Sequence, residues 1–381
     1  MKNNMVKIIH VFKENIFIDY IIEQFKDMNI PTRFFCLDTG SSFLQKMKYK
    51  DEIEFFKNFK QLKKEVQLND AIYVLHSRFI PFYKLNSLFK NKEIIWFLWG
   101  YDLYKDNRLC LSHNLINLKL YKPFTLGYLK STRTIKQKIR NILSYFINFF
   151  SAKIFYSKLN YISCVLSNEF ELIQNTKYKI HNFIPLRYIN KQRIEISNFT
   201  LKKENTILIN NSATPTGNHL DILRLISQHI NTDTVIYIPF SYGVDKLYFE
   251  MVKNEVKRIG LEKNVIFLTN FIDYTEYRKI LDSCNIAIFG HIRQQAIGNV
   301  VDLFSLGAKI FFYEDSISYR FYKSKGFHIY SLESNFSEHE LTTLLDENLR
   351  KDNIDKLDKL NNYDTYLSEL KIALKTHFDI K

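Results

Sequence analysis

The sequence is poor in residues that cross-link small extracellular domains or interrupt secondary structure. Of its 381 residues, 4 are cysteine, 6 are proline and 10 are glycine. The cysteines are far apart and form no C-x-x-C pair, which argues against a disulfide scaffold or a zinc finger. We expect buried thiols in a reducing compartment at Cys36, Cys110, Cys164 and Cys284.

Long hydrophobic segments are also missing. Uncharged stretches such as residues 141–152 reach about half of the roughly 20 apolar residues needed to cross a bilayer. The first apolar run is interrupted by His10, Lys13 and Glu14, which is typical of a first strand and not of a signal peptide. The sequence therefore predicts a cytoplasmic protein that meets a membrane only at its surface.

Acidic residues are absent from residues 107–168, which hold 10 Lys and Arg and supply 10 of the net charge of +14. Within them, residues 133–150 place apolar side chains at helical spacing among basic ones, as in a helix on an anionic membrane. A core helix with a solvated basic face is the alternative, and no motif favours nucleic acid. The membrane-docking residues are predicted to be Lys130, Arg133, Lys136, Lys138 and Arg140.

The chain is rich in apolar residues, at 46% hydrophobic and 15% aromatic, which excludes disorder and suffices for two cores. Short apolar runs ending in polar turns alternate with helical patterns, as in parallel sheets covered on both faces. The runs are VKIIHVF, TRFFCLD, AIYVLHS, EIIWFLWG, NTILINNS, DTVIYIPFS, NVIFLTNFI, CNIAIFGHI and AKIFFYE. An α/β fold is predicted, with two units and ligands at the carboxyl ends of their strands.

Residues 189–205 are polar and charged and separate the two halves. We therefore predict an N-terminal domain over residues 1–195 and a second domain over 203–355. Residues 356–381 are predicted to form a C-terminal helical segment.

The loop after the strand at residues 207–210 is suited to a phosphate. It is rich in Asn, Ser and Thr and leads into a helix predicted to begin near Asn218 or His219, so that N–H groups and hydroxyls lie at a positive helix end. It has neither the G-K-[ST] of a P-loop nor G-x-G-x-x-G, and an ordinary turn is the alternative. The candidate ligand-binding residues are Asn211, Ser212, Thr214, Asn218 and His219.

A second loop follows the strand that ends at Phe289 and leads into a helix through Gly298. Arginine pairs bidentately with phosphate, and glutamine bonds sugar hydroxyls or phosphate oxygens. The turn PFSYG offers a tyrosine that can stack on a base or sugar. The alternatives are that the arginine is an ordinary surface charge and that PFSYG is a plain turn. Further candidates are His291, Arg293, Gln294, Gln295, Gly298, Ser241, Tyr242 and Gly243.

Three polar residues end strands of the first half. Asp102 follows Gly100 just beyond the strand in WFLWGYDLY, where a carboxylate is a candidate general base or a helix cap. His10 and His76 end their strands in the same way, so we expect all three catalytic candidates on one cleft rim.

Together these motifs resemble glycosyltransferase family 56, bacterial enzymes that move 4-acetamido-4,6-dideoxygalactose from dTDP to a lipid-linked disaccharide of enterobacterial common antigen. The resemblance runs from His10 to about Gly326. PFSYG orders its residues differently from the family's turn, so an O-antigen or capsule transferase that uses another nucleotide hexose is the alternative. The matching residues are Trp99, Gly100, Asp102, Leu103, Tyr104, Asn211, Ser212, Asn218, His219, Arg293, Gln294, Gln295 and Gly298.

The resemblance implies a GT-B fold, in which two Rossmann-like domains face a central cleft, with the nucleotide sugar on the C-terminal domain. It implies transfer to a polyprenyl-diphosphate-linked glycan for a surface polysaccharide such as lipopolysaccharide, by a peripheral protein on the inner face of the cytoplasmic membrane. No metal or other cofactor is expected, since no suitable D-x-D motif is present. A non-catalytic basic protein that binds membranes or nucleic acid is the rival, and the sugar, base, acceptor, stereochemical outcome and oligomeric state stay open.

Overall fold

The chain folds into two parallel β-sheets with helices on both faces. The structure is a computed structural model that describes residues 7–13, 17–37, 47–104, 116, 118–132, 149–178, 180–191, 205–243 and 245–380. The predicted α/β class is confirmed, because each of the nine apolar runs contains a strand.

The first sheet has seven strands within the described residues, in the order β3-β2-β1-β4-β5-β6-β7. They are β1 (Ile8–Phe12), β2 (Thr32–Leu37), β3 (Ile53–Phe56), β4 (Ile72–His76), β5 (Glu93–Leu98), β6 (Tyr161–Cys164) and β7 (Asn182–Phe183). The accompanying helices are α1 (Ile18–Asp27), α2 (Phe59–Leu68), α3 (Phe82–Leu88), α4 (Gly100–Leu103), α5 (Pro123–Ser131), α6 (residues 149–157) and α7 (Asn168–Gln174).

The second sheet has six strands in the described part of the chain, in the order β10-β9-β8-β11-β12-β13. They are β8 (Thr206–Ile209), β9 (Val235–Pro239), β10 (Val265–Leu268), β11 (Ile286–Phe289), β12 (Lys309–Phe312) and β13 (Tyr330–Ser331). The helices are α8 (His219–Ile226), α9 (Lys246–Arg258), α10 (Tyr274–Ser283), α11 (Ile297–Ser305), α12 (Ile317–Ser324), α13 (Glu338–Thr342), α14 (Glu347–Leu360) and α15 (Tyr363–Phe378).

Both sheets reverse their strand order once, between β1 and β4 and between β8 and β11. The connections on either side of such a reversal run to opposite faces, which leaves a crevice at the carboxyl ends of the two central strands. His76 ends β4, but the prediction that His10 ends its strand is wrong, because β1 continues to Phe12; Asn210 and Gly290 follow the central strands of the second sheet. The fold therefore brings the motif residues to two facing strand edges.

Two segments cross between the halves. Helix α5 lies against α8, where the Asp221 carboxylate accepts hydrogen bonds from the backbone N–H groups of Phe124 and Thr125, each at 2.9 Å. Helix α15 follows the second sheet in the chain but packs on the first sheet. Its residues Leu370 and Leu374 are buried in the core on one face of that sheet. Each half thus carries an element that stabilises the other, and the domain boundaries stay a prediction.

A continuous apolar core connects the two sheets, with Val11 and Trp96 from the first and Phe289 and Phe312 from the second. Cys36, Cys164 and Cys284 are buried as predicted, while Cys110 lies outside the described residues. In the described part of the chain, no helix combines the length and hydrophobicity of a membrane span.

Candidate active site

Three loops at the carboxyl ends of β8, β9 and β11 form one group, which we call the loop cluster (residues 211–216, 241–243 and 291–295). Gln295 Nε2 donates hydrogen bonds to Ser212 Oγ at 3.1 Å and to Thr214 Oγ1 at 3.0 Å. Thr216 Oγ1 donates to Gln295 Oε1 at 2.9 Å. The amide of Gln295 is therefore occupied by the loop after β8 and holds that loop in place.

Asn210 fixes the loop cluster from below, although the sequence motifs did not single it out. Its Oδ1 accepts a hydrogen bond from the Gly290 N–H at 2.9 Å, and its Nδ2 donates to the Gly217 carbonyl at 2.8 Å. A Cβ at Gly290 would lie 2.2 Å from the Gly217 oxygen, so only glycine fits. The position of Asn210 beside Asn211, just after β8, is the sequence signal that would have identified Asn210.

Asn218 and His219 begin α8 as predicted, but their side chains are buried. Asn218 Nδ2 donates to the carbonyls of Gly290 and Leu120, and its Oδ1 accepts from the Lys122 N–H at 2.8 Å. The amide of Asn218 therefore joins the segment before α5 to the second sheet.

His219 packs inside the second half. Its Nδ1 lies 3.2 Å from the Tyr248 hydroxyl, while its Nε2 has no hydrogen-bond partner among the described residues. Burial lowers the pKa of His219 to about 3. The ring is therefore neutral near physiological pH.

His291 and Arg293 lie at the exit of β11. His291 is buried, and neither ring nitrogen has a hydrogen-bond partner in the described part of the chain. Burial, followed by the nearby Arg293 charge, holds the pKa of His291 well below its ordinary value. Burial also lowers the pKa of Arg293. Arg293 Nη1 donates to the Gln294 carbonyl at 3.0 Å, and no carboxylate of the described residues lies within ion-pair distance of it.

The PFSYG turn forms the exposed edge of the loop cluster. Ser241, Tyr242 and Gly243 are exposed, with Tyr242 at 68%. The Ala213 N–H donates to the Tyr242 carbonyl at 2.8 Å, and a Cβ at Gly243 would lie 2.6 Å from Thr214 Cγ2. The turn therefore packs on the loop after β8 and leaves the Tyr242 ring accessible.

Gly298 differs from these tightly packed glycines. It lies in α11, and a Cβ added there would meet nothing within 4 Å. Packing therefore does not require glycine at this motif position.

The polar residues of the first sheet form a connected group, which we call the histidine chain (His10, His76, Tyr188 and Trp99). His10 Nδ1 lies 2.7 Å from His76 Nε2, and His76 Nδ1 lies 2.9 Å from the Tyr188 hydroxyl. Trp99 Nε1 donates to that hydroxyl at 3.0 Å. All three contacts are satisfied when the Tyr188 hydroxyl donates to His76 and His76 donates to His10.

Burial keeps both histidines of this chain neutral. It lowers the pKa of His76 to about 3 and holds that of His10 well below its ordinary value. The His10 ring stacks on Phe34 at 5.0 Å and meets Phe25 edge-on. The structure therefore places both histidines below the cleft surface, because His10 lies in the middle of β1 and the end of β4 at His76 still belongs to the core.

Asp102 is also fully buried and is the third residue of α4. Its Oδ2 accepts a hydrogen bond from the Trp99 N–H and its Oδ1 accepts one from the Arg78 N–H, each at 3.0 Å. Burial raises the pKa of Asp102 to about 6. Asp102 therefore caps α4 from within the first turn of that helix, which begins at Gly100.

The two halves touch where the first-sheet and second-sheet motifs meet. The Gly100 N–H donates to Gln294 Oε1 at 3.0 Å. A Cβ at Gly100 would lie 2.2 Å from the Gln294 carbonyl oxygen and 3.1 Å from Arg293 Nη1. Glycine is therefore required for the close approach that puts Arg293 beside the Trp99–Asp102 turn.

Glu169 is a buried carboxylate near this contact that the motifs did not include. Its Oε1 accepts a hydrogen bond from the Tyr104 hydroxyl at 2.7 Å. Burial raises the pKa of Glu169 to about 7, against the lowering effects of Tyr104 and Arg293. Its position as the first acidic residue after 62 without one is the only signal in the sequence.

The membrane-docking candidates fall mostly outside the described residues, which exclude Arg133, Lys136, Lys138 and Arg140. Lys130 is exposed near the end of α5. Helix α6 contains the end of the predicted amphipathic segment and exposes apolar side chains, with Phe149 at 40%, Phe150 at 70% and, beyond that segment, Ile154 at 46%. Across the described residues, no group of three or more His, Cys, Asp or Glu side chains is arranged to hold a metal ion.

Solved structures with the same architecture define the class. A glycosyltransferase from Rickettsia africae is similar over 98% of each chain, with a TM-score of 0.61 and 11% identity. Anabaena HepE, solved with UDP and glucose, is similar over 97% of this chain and 95% of its own, with a TM-score of 0.53 and 11% identity. The trehalose-phosphate synthase of Burkholderia vietnamiensis has a TM-score of 0.61 at 8% identity over 97% of this chain and 100% of its own. The fold is that of the GT-B glycosyltransferases, as predicted.

A family model matches part of the sequence, from β6 of the first sheet to β13 of the second. Residues 161–331 match the family model described as 4-alpha-L-fucosyltransferase, glycosyl transferase group 56. The matched residues include the loop cluster but not the Trp99–Tyr104 motif. This match bears out the predicted resemblance to group 56 over these residues, and the protein is a glycosyltransferase.

Proposed function

We propose that the protein transfers a deoxy-amino sugar, such as 4-acetamido-4,6-dideoxygalactose, from a dTDP-type nucleotide sugar to a polyprenyl-diphosphate-linked glycan during bacterial surface polysaccharide synthesis. The fucosyltransferase description of the matched family supports a 6-deoxyhexose as the transferred sugar. The complex of HepE with UDP and glucose supports a nucleotide-sugar donor for this fold.

One observation carries the proposal, namely the contact of Gly100 with Gln294 beside Arg293. It joins the carboxyl edge of the first sheet to that of the second, so a donor on the loop cluster has its reacting end at the Trp99–Asp102 turn. Parallel α/β sheets bind ligands at these edges. We therefore assign the donor to the second half and the acceptor to the first.

Within the loop cluster, Arg293 is the residue to stabilise the leaving diphosphate. Charge grows on the diphosphate as the glycosidic bond breaks, and a preorganised guanidinium stabilises that charge most strongly in a partly desolvated site. Arg293 is half-buried and lacks a carboxylate partner in the described part of the chain. We assign to this residue the electrostatic role that a metal ion has elsewhere, and no cofactor is part of the proposal.

The exposed Tyr242 ring is proposed to stack on the base or sugar of the donor. Ser241 and the hydroxyls of Ser212 and Thr214 lie in the adjoining loops. Asn218 and His219 would act indirectly, because their buried side chains fix the start of α8.

In the first half, His10, His76 and Asp102 are proposed to hold the Trp99–Gly100 turn against the loop cluster. His76 reaches Trp99 through Tyr188, and Asp102 accepts the Trp99 N–H. These contacts favour positioning roles over direct chemistry. The role of Asp102 as general base stays a prediction.

The lipid-linked acceptor implies contact with the inner face of the cytoplasmic membrane. Helix α6 supports this part of the proposal, because Phe150 and Ile154 are exposed beside Lys153 within the acid-free residues 107–168. Exposed apolar side chains among lysines suit the interface of an anionic bilayer. Flotation with anionic and neutral vesicles tests it, and equal binding to both would contradict the proposed charge dependence.

The decisive experiment incubates the purified protein with dTDP- and UDP-linked sugars and a synthetic polyprenyl-diphosphate disaccharide, with mass-spectrometric detection of the elongated lipid. We expect transfer from a dTDP-linked deoxy-amino sugar, with equal yield in EDTA. Product from UDP-hexoses alone would replace the donor assignment and favour the O-antigen or capsule alternative. Loss of activity in EDTA would contradict metal independence.

A further inference from the structure

A second arginine, Arg78, lies near the contact between Gly100 and Arg293 and is assigned no role by the family motifs. Arg78 follows the end of β4, and its backbone N–H donates to Asp102 Oδ1 at 3.0 Å. Asp102 in turn accepts from Trp99, whose neighbour Gly100 contacts Arg293. Both arginines therefore adjoin the Trp99–Asp102 turn at the start of α4.

The side chain of Arg78 is held in place but is not neutralised. Its guanidinium carbon lies 4.8 Å from the centroid of the Phe82 ring. Its Nε is buried without a hydrogen-bond partner among the described residues. No carboxylate in that part of the chain lies within ion-pair distance of it. A buried donor without a partner is costly, so the site is incomplete as it stands.

The backbone before Arg78 supports a built site. Ser77 is buried and has φ = 60°, a left-handed conformation that is uncommon for residues other than glycine. Its hydroxyl lies 2.5 Å from that of Tyr101, and its N–H donates to the Phe97 carbonyl at 2.9 Å. Strained residues held by their surroundings occur at ligand sites, and this one sets the direction in which Arg78 leaves β4.

The charge around α4 is unbalanced. Arg78 and Arg293 both lower the pKa of Asp102, yet burial still raises it to about 6. The Asp102 oxygens are also occupied by two backbone N–H groups. Arg293 also acts on Glu169, whose pKa burial raises to about 7. Burial thus disfavours the charge of both carboxylates near the two guanidinium groups, and a bound anion would supply the missing counter-charge.

We infer that Arg78 binds the donor diphosphate from the first half, opposite Arg293, so that two guanidinium groups clamp the leaving group across the cleft. This inference rests on the proposed nucleotide-sugar donor. An acidic group of the acceptor has the same chemistry and is the alternative source of the anion. Closing the cleft on a diphosphate would also satisfy the buried Arg78 Nε.

The test compares Arg78→Met, Arg78→Lys, Arg293→Met and the exposed control Arg320→Ala in calorimetric titrations with dTDP and with thymidine. Methionine keeps the packing on Phe82 without the charge. We expect at least a tenfold weaker Kd for dTDP in Arg78→Met, partial recovery in Arg78→Lys, and no change in Arg320→Ala. Thymidine affinity should be the same in all variants with an unchanged melting temperature.

The double variant Arg78→Met/Arg293→Met sharpens the test. Two residues on one diphosphate should show a non-additive loss of dTDP affinity. Unchanged dTDP affinity in a folded Arg78→Met protein would overturn the clamp. A rise in the KM for the acceptor, with dTDP affinity unchanged, would overturn it as well. Absence of dTDP binding by the wild type would instead contradict the proposed donor.

Discussion

At the carboxyl edge of the first sheet, His10, His76, Tyr188 and Trp99 bond one another beneath the surface. At the matching edge of the second sheet, Arg293 and Tyr242 reach the cleft without such partners. Each edge lies at a strand-order reversal of its own sheet, so topology alone does not distinguish the two edges. The difference lies in whether the polar groups are satisfied internally.

This difference indicates which residues interact with substrate. A neutral, buried histidine pair that bonds within the core has little to gain from an anionic ligand, whereas a half-buried guanidinium without a carboxylate partner among the described residues gains a counter-charge. We therefore expect changes in the loop cluster to impair binding and catalysis, and changes in the histidine chain to alter stability and its pH dependence.

The largest effect is expected for Arg293→Met. Loss of a preorganised charge at the leaving group should lower kcat/KM by about 10²–10³-fold, or about 3 kcal/mol. Steady-state kinetics with the donor identified above measure it, with Arg320→Ala as the matched exposed arginine. Turnover at the wild-type rate in a folded Arg293→Met protein would remove this residue from the site.

The pH dependence of stability should reveal the buried histidines. His10, His76, His219 and His291 have lowered pKa values, so below about pH 6.5 only the unfolded chain binds their protons. Each then lowers the free energy of unfolding by about 1.4 kcal/mol per pH unit as the pH falls. The raised pKa values of Glu169, about 7, and Asp102, about 6, act oppositely, because the folded chain binds those protons first.

The balance predicts a net uptake of about two protons on unfolding near pH 5.5. Urea unfolding between pH 6.5 and 5 measures it as a falling free energy of unfolding. His76→Gln should make the decline shallower by about one proton, and Glu169→Gln should make it steeper. Stability that rises over this interval would contradict the assignment of neutral buried histidines.

Gly100→Ala tests the contact between the two edges. The new Cβ would lie 2.2 Å from the Gln294 carbonyl oxygen, so we expect a cost of about 1–3 kcal/mol from overpacking and a clearly lower kcat/KM. Gly127→Ala is the matched control, because a Cβ there meets nothing within 4 Å in α5. Equal activity in both variants would show that the close approach is not needed for transfer.

Asp102→Asn should have the smallest effect on activity. Asparagine keeps one acceptor for the two N–H groups, so the free energy of unfolding should fall by about 1–2 kcal/mol while kcat stays within about tenfold of wild type. Melting curves and single-turnover kinetics separate the two quantities. A loss of kcat by about 10²–10⁴-fold, typical of a general base, would restore the catalytic role predicted from the sequence.

Much of the fold could be predicted from the sequence because buried parallel strands are continuous apolar runs. The runs predicted β1 and β2 within two residues, but β3 (IEFF) and β6 (YISC) were missed, since Glu54 and Ser163 interrupt their apolar residues. The two-residue strands β7 and β13 exist only through pairing with their neighbours. Short strands of this kind have no periodicity to detect.

The site was less predictable, because residue type indicates chemistry but not exposure. His10 and Asp102 were expected on a cleft rim, and only the packing of β1 and α4 shows that they are buried. Arg78 and Glu169 belong to no motif, and their relation to Arg293 depends on contacts between distant segments. Arg293 was predictable because three polar residues surround it at a strand exit.

Calorimetric titration of dTDP into the wild type, Arg293→Met and His76→Gln tests the central claim most directly, since it compares a guanidinium without a carboxylate partner among the described residues with an internally bonded histidine. We predict that Arg293→Met weakens the Kd by at least tenfold and that folded His76→Gln binds dTDP within about twofold of wild type. Normal affinity in Arg293→Met, together with loss of binding in folded His76→Gln, would contradict the account.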